Sequence, residues 1–594
     1  SSVISVAACD TTVNMFIDSG ARLYKSASGT TDIKVLFTLN SGGSMVVDGG
    51  VLSMLNTGSY SGTIHTALGS EIVFGTASHT INAGSTVDGT GKLSVKQTGS
   101  CGAPVLNLQS NVAMASGGQV NVITPGSIYV TAGVQAVNGV LFIVTSGTMR
   151  VLGGVATTVL NLIQQDGGLL FVDPGAVLSN TQLTVSGASS NLTVVGVLNG
   201  VDHTMNGGIV NVRPGPMSFS GSVSYVGGEY NGPNGVINLS GTFSTSGAAL
   251  KRFKDLTVFL SGAGTWSPSN DWLLTRTNFR VTGSGSLNLG CDCTMSSGVT
   301  NPMSSLSFEG SSSFEKTSTG STKLMVNLTI GTQAVGRVSA GALELYNNTV
   351  TNGNLVVNSV LNMHSGNHQI VSASVQGTGL IQLFNVSTSL LIDSNVDMSD
   401  GARVEVNLGS VTMSSGRTWS WPGAVLYINS GSVTHTAGGT ATVVPKVVNG
   451  GGLHLVQSGA SVSSSVQYDL TATGSKLNVS GNYDIVTWNF AKGSTRTVGV
   501  ISVAGSSTLN DVRIEGTGQL NLNGPSTWQV VSSPDLVMKE AHIFSRANVN
   551  WLGGQLSWSS GLQYEQVSGD FIVAFVSSVI SVAACDTTVN MFID

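Results

Sequence analysis

One nine-residue pattern returns along this chain and restricts its fold more than any other feature. It reads Gly-Gly, then a short apolar strand with Val in sixth place, then Gly in ninth. It stands as GGSMVVDGG at 42–50, GGLLFVDPG at 167–175, GGIVNVRPG at 207–215 and GGLHLVQSG at 451–459, and with one insertion as GGQVNVITPG at 117–126. Glycine tolerates the positive φ of a tight corner. Pro-Gly or its equivalent turns the next corner, and the alternation between them points the Val to one face. Further alternating runs are NLTVV (191–195), LMVNLTI (324–330), RVEVNL (403–408), AVLYINS (424–430) and QLNLN (519–523). Each is bounded by Gly, Asn, Ser or Pro and reads as a strand of about five residues. Helical periodicity is almost absent, because glycine interrupts nearly every window.

The strands recur at intervals of roughly 18–28 residues, the size of one coil of a parallel β-solenoid. In such a fold each strand pairs with its equivalent in the next coil, about 4.8 Å away. Parallel crossovers are nearly always right-handed, so the expectation is an all-β, right-handed parallel β-helix. Charged residues are 9% of the chain, against about 25% in ordinary domains. A solenoid explains the deficit, since like charges stacked on neighbouring strands repel. A string of β-sandwiches would show a period near 100 residues, linkers and hairpin turns throughout, and the sequence has neither the period nor the linkers.

These Gly corners and short apolar strands resemble those of the parallel β-helix proteins. That class includes pectin-lyase-like enzymes, filamentous haemagglutinin-like adhesins and autotransporter passengers. The resemblance runs the length of the chain and rests on a generic pattern. It implies the fold and an extracellular or cell-surface location.

The eighteen residues SSVISVAACDTTVNMFID occur twice, from Ser1 to Asp18 and from Ser577 to Asp594. A match of that length is not chance. It is read as one tandem unit, 1–576, followed at 577–594 by the start of the next, rather than as an artificial closure. A solenoid coil exposes an unpaired strand edge until another coil covers it, and VISVAAC and VNMFI are apolar, strand-like sequences. The partner expected from this reading is an identical unit, end to end. The first residue is Ser, and the segment is expected to be mature or internal.

Other function classes find little support. The net charge is −6, and no basic stretch is long enough to neutralise a nucleic-acid backbone. The densest basic cluster, Lys251, Arg252 and Lys254, reads as a solvated loop. No apolar run approaches the ~18 residues of a membrane helix; FIVAFV (571–576) suits a buried strand. Of the five Cys, Cys585 copies Cys9, and Cys291 and Cys293 fall on one strand face as a buried pair or a local disulfide. The stretches NTD, DD, GHG and RIK that mark polygalacturonase-type members of the resembled class are missing; RIE at 513–515 matches only in part. The closest acidic grouping, Asp397, Asp400 and Glu405, reads as solvated loop. HSGNH at 364–368 spaces two His four apart, but on a glycine-containing turn rather than the helix that a metalloprotease needs. No catalytic residue, cofactor or metal site is expected.

Two kinds of candidate remain. Trp419 and Trp421 in TWSWPG share one strand face, available to a sugar or neighbouring filament if exposed, or filling a wide coil if buried. Sequons occur at Asn191, Asn238, Asn327, Asn347, Asn385 and Asn478. In all but Asn347 the middle residue is Leu or Val, which would point inward and leave the Asn outside. The expected function is a structural repeat of an extracellular filament or surface fibre. The alternatives are a β-helical adhesin that binds glycans or cells through a lateral face and, behind it, a polysaccharide-degrading enzyme.

Overall fold

A computed structural model describes the backbone of residues 2–4, 12–99, 102–115, 117–131, 134–266, 271–299, 303–371, 374–394, 396–397, 401–420, 424–442, 446–490, 493–497 and 499–503, and of shorter stretches between 507 and 593. The chain forms two compact units, Ser1–Leu287 with Met295–Ser304, and Asn288–Thr294 with Ser305–Asp594. Each is a parallel β-solenoid, with no helix among the described residues. Among the described residues no helix is therefore long and apolar enough to cross a membrane.

Short strands follow directly from the alternation. Leu169–Val172, Asn191–Val194 and Ile209–Val212 are four residues each, and they pair in parallel in successive coils. The step to the equivalent strand is 20 residues from Leu183 to His203, 27 from His79 to Leu106 and 18 from Tyr483 to Ile501. These agree with the interval read from the sequence; one longer step of 29 leads from Ser2 to Thr31. The antiparallel contact that is described is an isolated bridge between Ile123 and Ser146. Hairpin pairing plays no part in these ladders.

Stacking converts alternation into core. In the first unit Val130, Val151, Val172, Val194 and Val212 lie one above another, all buried. In the second, Leu343, Leu361, Ile381, Val404, Leu426 and Val447 form such a column. Each buried side chain of this size contributes about 1.5–3 kcal/mol. The Val in sixth place of the recurring pattern (Val47, Val172, Val212, Val456) is buried every time.

The two glycines of the pattern do different jobs. Gly42 takes a φ of 81°, which only glycine adopts without strain. Gly43 has ordinary φ, but a Cβ there would lie 2.7 Å from the Ile17 carbonyl oxygen and 3.0 Å from that of Asp18. In this copy the first glycine turns the corner and the second lets adjacent coils touch backbone to backbone; at 207–208 the second, Gly208, does both.

The basic cluster corrects the sequence reading. Lys251, Arg252 and Lys254 lie on the strand Lys251–Leu260, not on a loop, and Lys251 is fully buried. Its parity explains this. Lys251 and Phe253 share the inward face, with Phe253 packed against Tyr225, Tyr230 and Trp272. The stem fills core while Nζ reaches the corner and donates to the carbonyl oxygens of Ala249 and Gly247. Lys25 and Lys316 end the same way, on Ala27 in the first and on Ser318 and Gly320 in the second.

Candidate functional site

The duplicated segment gives the same local structure twice. Asn14–Ile17 is a strand, and so is its copy Asn590–Ile593; Ser2–Ile4 and its copy lie in the strands Ser2–Ile4 and Ser578–Val582. Asn14–Ile17 pairs with the strand that follows it, Leu36–Leu39, with Met15 opposite Phe37. Asn590–Ile593 pairs with the strand that precedes it, Gln563–Gln566, with Met591 opposite Tyr564. Ser2–Ile4 likewise pairs forward with Thr30–Ile33, and Ser578–Val582 pairs back with Gly554–Ser559. In and after the first copy Ile4, Val13, Phe16 and Tyr24 are exposed, Phe16 by 58% and, like Tyr24, on the outward phase of its strand. Ser1, Ser577 and Asp594 lie outside the described residues. Asp18 is exposed and its carboxylate accepts from Asn40 Nδ2 at 2.6 Å.

The lateral surfaces carry ladders. Arg150 reaches Asp173 at 2.8 Å one coil on, and Arg417 reaches Asp393 at 2.8 Å one coil back. Asn211 donates to Asn191 at 2.8 Å and Asn429 to Asn407 at 2.6 Å. An aromatic column runs through Tyr346, His364 and Phe384, with ring centroids 4.5 and 5.1 Å apart and planes within 3° and 11°. Each inner ring face is therefore covered by the next ring. The outer ring faces of Tyr346 and Phe384, at the two ends of the column, lie outside this stack. Glu344 sits beside it, accepting from the Tyr346 hydroxyl at 2.9 Å and lying 3.7 Å from His364 Nε2.

Trp419 lies on the strand Thr418–Ser420, opposite Val396 and Ala441, its side chain and all of Trp421 falling outside the described residues. The described core holds other tryptophans, Trp266, Trp272 and Trp488. Among the acids, Glu405 is engaged by Arg403 and Gln382. Asp400 and the Asp397 side chain lie outside the described residues.

Histidine was the signal that scatter in the sequence concealed. His79, His203, His368, His435 and His454 are buried. In HSGNH the turn is present, but His368 enters the core and bonds the Ser365 carbonyl at 3.1 Å. Burial holds His79, His203, His368 and His435 down at about 4, and His454 well below its ordinary value. Such imidazoles are neutral structural groups. No group of three or more His, Cys, Asp or Glu is placed to hold a metal among the described residues. Cys291 and Cys293 are joined as a disulfide in the core of the second unit.

The sequons divide. Asn191, Asn238, Asn327 and Asn478 lie half-exposed on strands, with Leu192, Leu239, Leu328 and Val479 buried as the alternation requires. Asn347 is half-exposed at a bend. Asn385 breaks the pattern. It sits in a turn, and Val386 is 76% exposed instead of pointing inward. The alternation argument fails there because residues 384–388 lie off any strand.

No protein-family model matches the chain, and no curated protein is significantly similar to it.

Proposed function

We propose that this chain is a structural repeat unit of an extracellular β-solenoid filament, extended by stacking identical units end to end. One observation carries the reading. The same eighteen-residue sequence forms strands at the same places in both copies, each in parallel register with a neighbouring coil. Superimposing Asn590–Ile593 on Asn14–Ile17 leaves one strand with both neighbours in place, Gln563–Gln566 on one side and Leu36–Leu39 on the other. The junction becomes an ordinary coil, in which backbone groups on both edges are paired.

Another feature supports the reading. The outward faces are built of coil-to-coil ladders, which reward length and need no catalytic group.

The test is a two-unit polypeptide, residues 1–576 followed by 1–594. Hydrogen exchange at the central copy of the eighteen residues should be slowed to the level of the strands around it. Exchange as fast at the central copy as at the outer copies would show a hinge between separate bodies and overturn the filament.

A further inference from the structure

The corner at residues 384–388 is built unlike the other sequon sites. Phe384, Asn385, Val386 and Ser387 are all exposed. The Thr388 N–H donates to the Asn385 carbonyl at 3.0 Å, closing a turn. The Ser387 N–H donates to the Asn385 side-chain Oδ1 at 3.2 Å, an Asx turn that fixes the carboxamide. The carboxamide oxygen is held inward against the turn, and Nδ2 has no protein partner among the described residues. The ladder sequons differ. Asn238 donates its Nδ2 to Ser218 at 3.2 Å. Asn191 accepts from Asn211 Nδ2 and from its own Thr193 hydroxyl. The Asn327 Oδ1 is enclosed within its ladder. A substituent on the Asn238 Nδ2 would displace its bond to the neighbouring coil, and Asn191 and Asn327 are only half-exposed where Asn385 is exposed.

The corner also has something to cover. Val386 is exposed beside Asn385, and Phe384 and Leu408, on the same and the next coil, are each 37% exposed. Phe384 gives one ring face to His364. Its other face is turned from that stack. Clustered apolar side chains on a soluble surface mark something that binds there.

We propose that Asn385 is an N-glycosylation site whose first sugars lie over Phe384, Val386 and Leu408. In the reaction Asn385 Nδ2 bonds to C1 of the first sugar of a polyprenyl-diphosphate-linked oligosaccharide. The bond from C1 to the diphosphate oxygen breaks, the lipid diphosphate leaves, and the amide gives up one proton. Ser387 supplies the hydroxyl position of the sequon. The site rests on the chain being exported, part of the reading above.

The experiment separates the two. The chain is directed into the secretory pathway of a glycosylating eukaryotic cell by an added leader, so export is imposed. Glycopeptides are then mapped by mass spectrometry. Asn385 should carry sugar in most molecules, and Ser387→Ala should remove that mass. Secreted protein with Asn385 bare, whether sugar sits elsewhere or nowhere, overturns the site while leaving the filament reading untouched. Asn385→Gln protein from the same cells should bind more of an apolar-surface dye than the glycosylated protein. Equal dye binding would overturn the claim that the sugars cover the corner.

Discussion

The imidazoles of His435 and His454 meet Nε2 to Nε2 at 3.1 Å inside the core, and His454 Nδ1 lies 3.2 Å from the Tyr468 hydroxyl. The contact requires one ring to donate and the other to accept, so both cannot be protonated. Acid should therefore destabilise these coils. Above about pH 6.5 neither the folded nor the unfolded histidines bind a proton. As pH falls from 6.5 toward 4 the unfolded rings are protonated while His435, held at about 4, is not. Stability is present above this window and lost as pH falls through it, on the order of 2–3 kcal/mol per such histidine. Thermal melts at pH 7.5 and 4.5 should differ by many degrees, and His435→Leu with His454→Leu should reduce the difference. Equal melting at the two pH values would refute this account.

Leu361 and Asn362 are neighbours in sequence on opposite faces of one strand. Leu361 packs between Leu343 and Ile381 in the core column. Leu361→Ala should cost about 2–5 kcal/mol. Asn362→Ala on the outer face should stay within about 0.5 kcal/mol. Denaturant unfolding of the two variants checks the contrast, and similar losses would mean that the strand phase is wrong.

The glycine that gives coils their contact should be harder to replace than its φ suggests. Gly43 is not left-handed, yet its added methyl would press on the backbone oxygens of Ile17, Asp18 and Asn40. Gly43→Ala should lower stability by about 1–3 kcal/mol. A neutral melting temperature would show that the coils can separate locally at no cost.

Where the sequence was legible and where it was not follows from what each residue type announces. Val in sixth place announced its side by alternation alone, and Val47, Val172, Val212 and Val456 are buried accordingly. Lys251 reads as a loop residue only when its charge is given more weight than its parity. Counting by twos from Phe253 would have placed it inside. At Asp255, φ is 59°, and the phase slips before Leu256, Val258 and Leu260 resume the inward face. No period-two count carries across such a break. Val386 shows the converse error, an apolar residue assumed to be on a strand when its neighbours form a turn. The histidine contacts depend on which coils stack, information spread over about twenty residues and invisible in any local window.

Lys251 itself is a test of how a buried cation is tolerated. Desolvation pulls its ammonium down to about 8, and the carbonyls of Ala249 and Gly247 are its compensation. The stem contributes packing that an apolar chain of similar length reproduces, so Lys251→Met should lie within about 1 kcal/mol of the parent. Lys251→Glu puts a carboxylate against those carbonyl oxygens and should cost several kcal/mol. If Met proves as damaging as Glu, the ammonium holds the corner and the stem does not.

End-to-end growth makes the sharpest demand on a single side chain, Met15. It is the inward residue beside Ile17 on Asn14–Ile17, and it faces Phe37 in the following coil. Its copy, Met591, is in register with Tyr564 of the preceding coil. If the copies are equivalent, Met15 in a filament lies between Phe37 and Tyr564 of neighbouring units, inside a continuous core. A carboxylate at that position would be buried without a partner, a cost of several kcal/mol that falls mainly on the junction. In isolated units Met15→Asp is only half-buried and should change melting little. In the two-unit polypeptide, the same change at the central copy should restore fast hydrogen exchange across the central eighteen residues while the flanking coils stay protected. If the central strands remain protected with Asp in place, Met15 does not enter a shared core, and the stacking register proposed here is wrong.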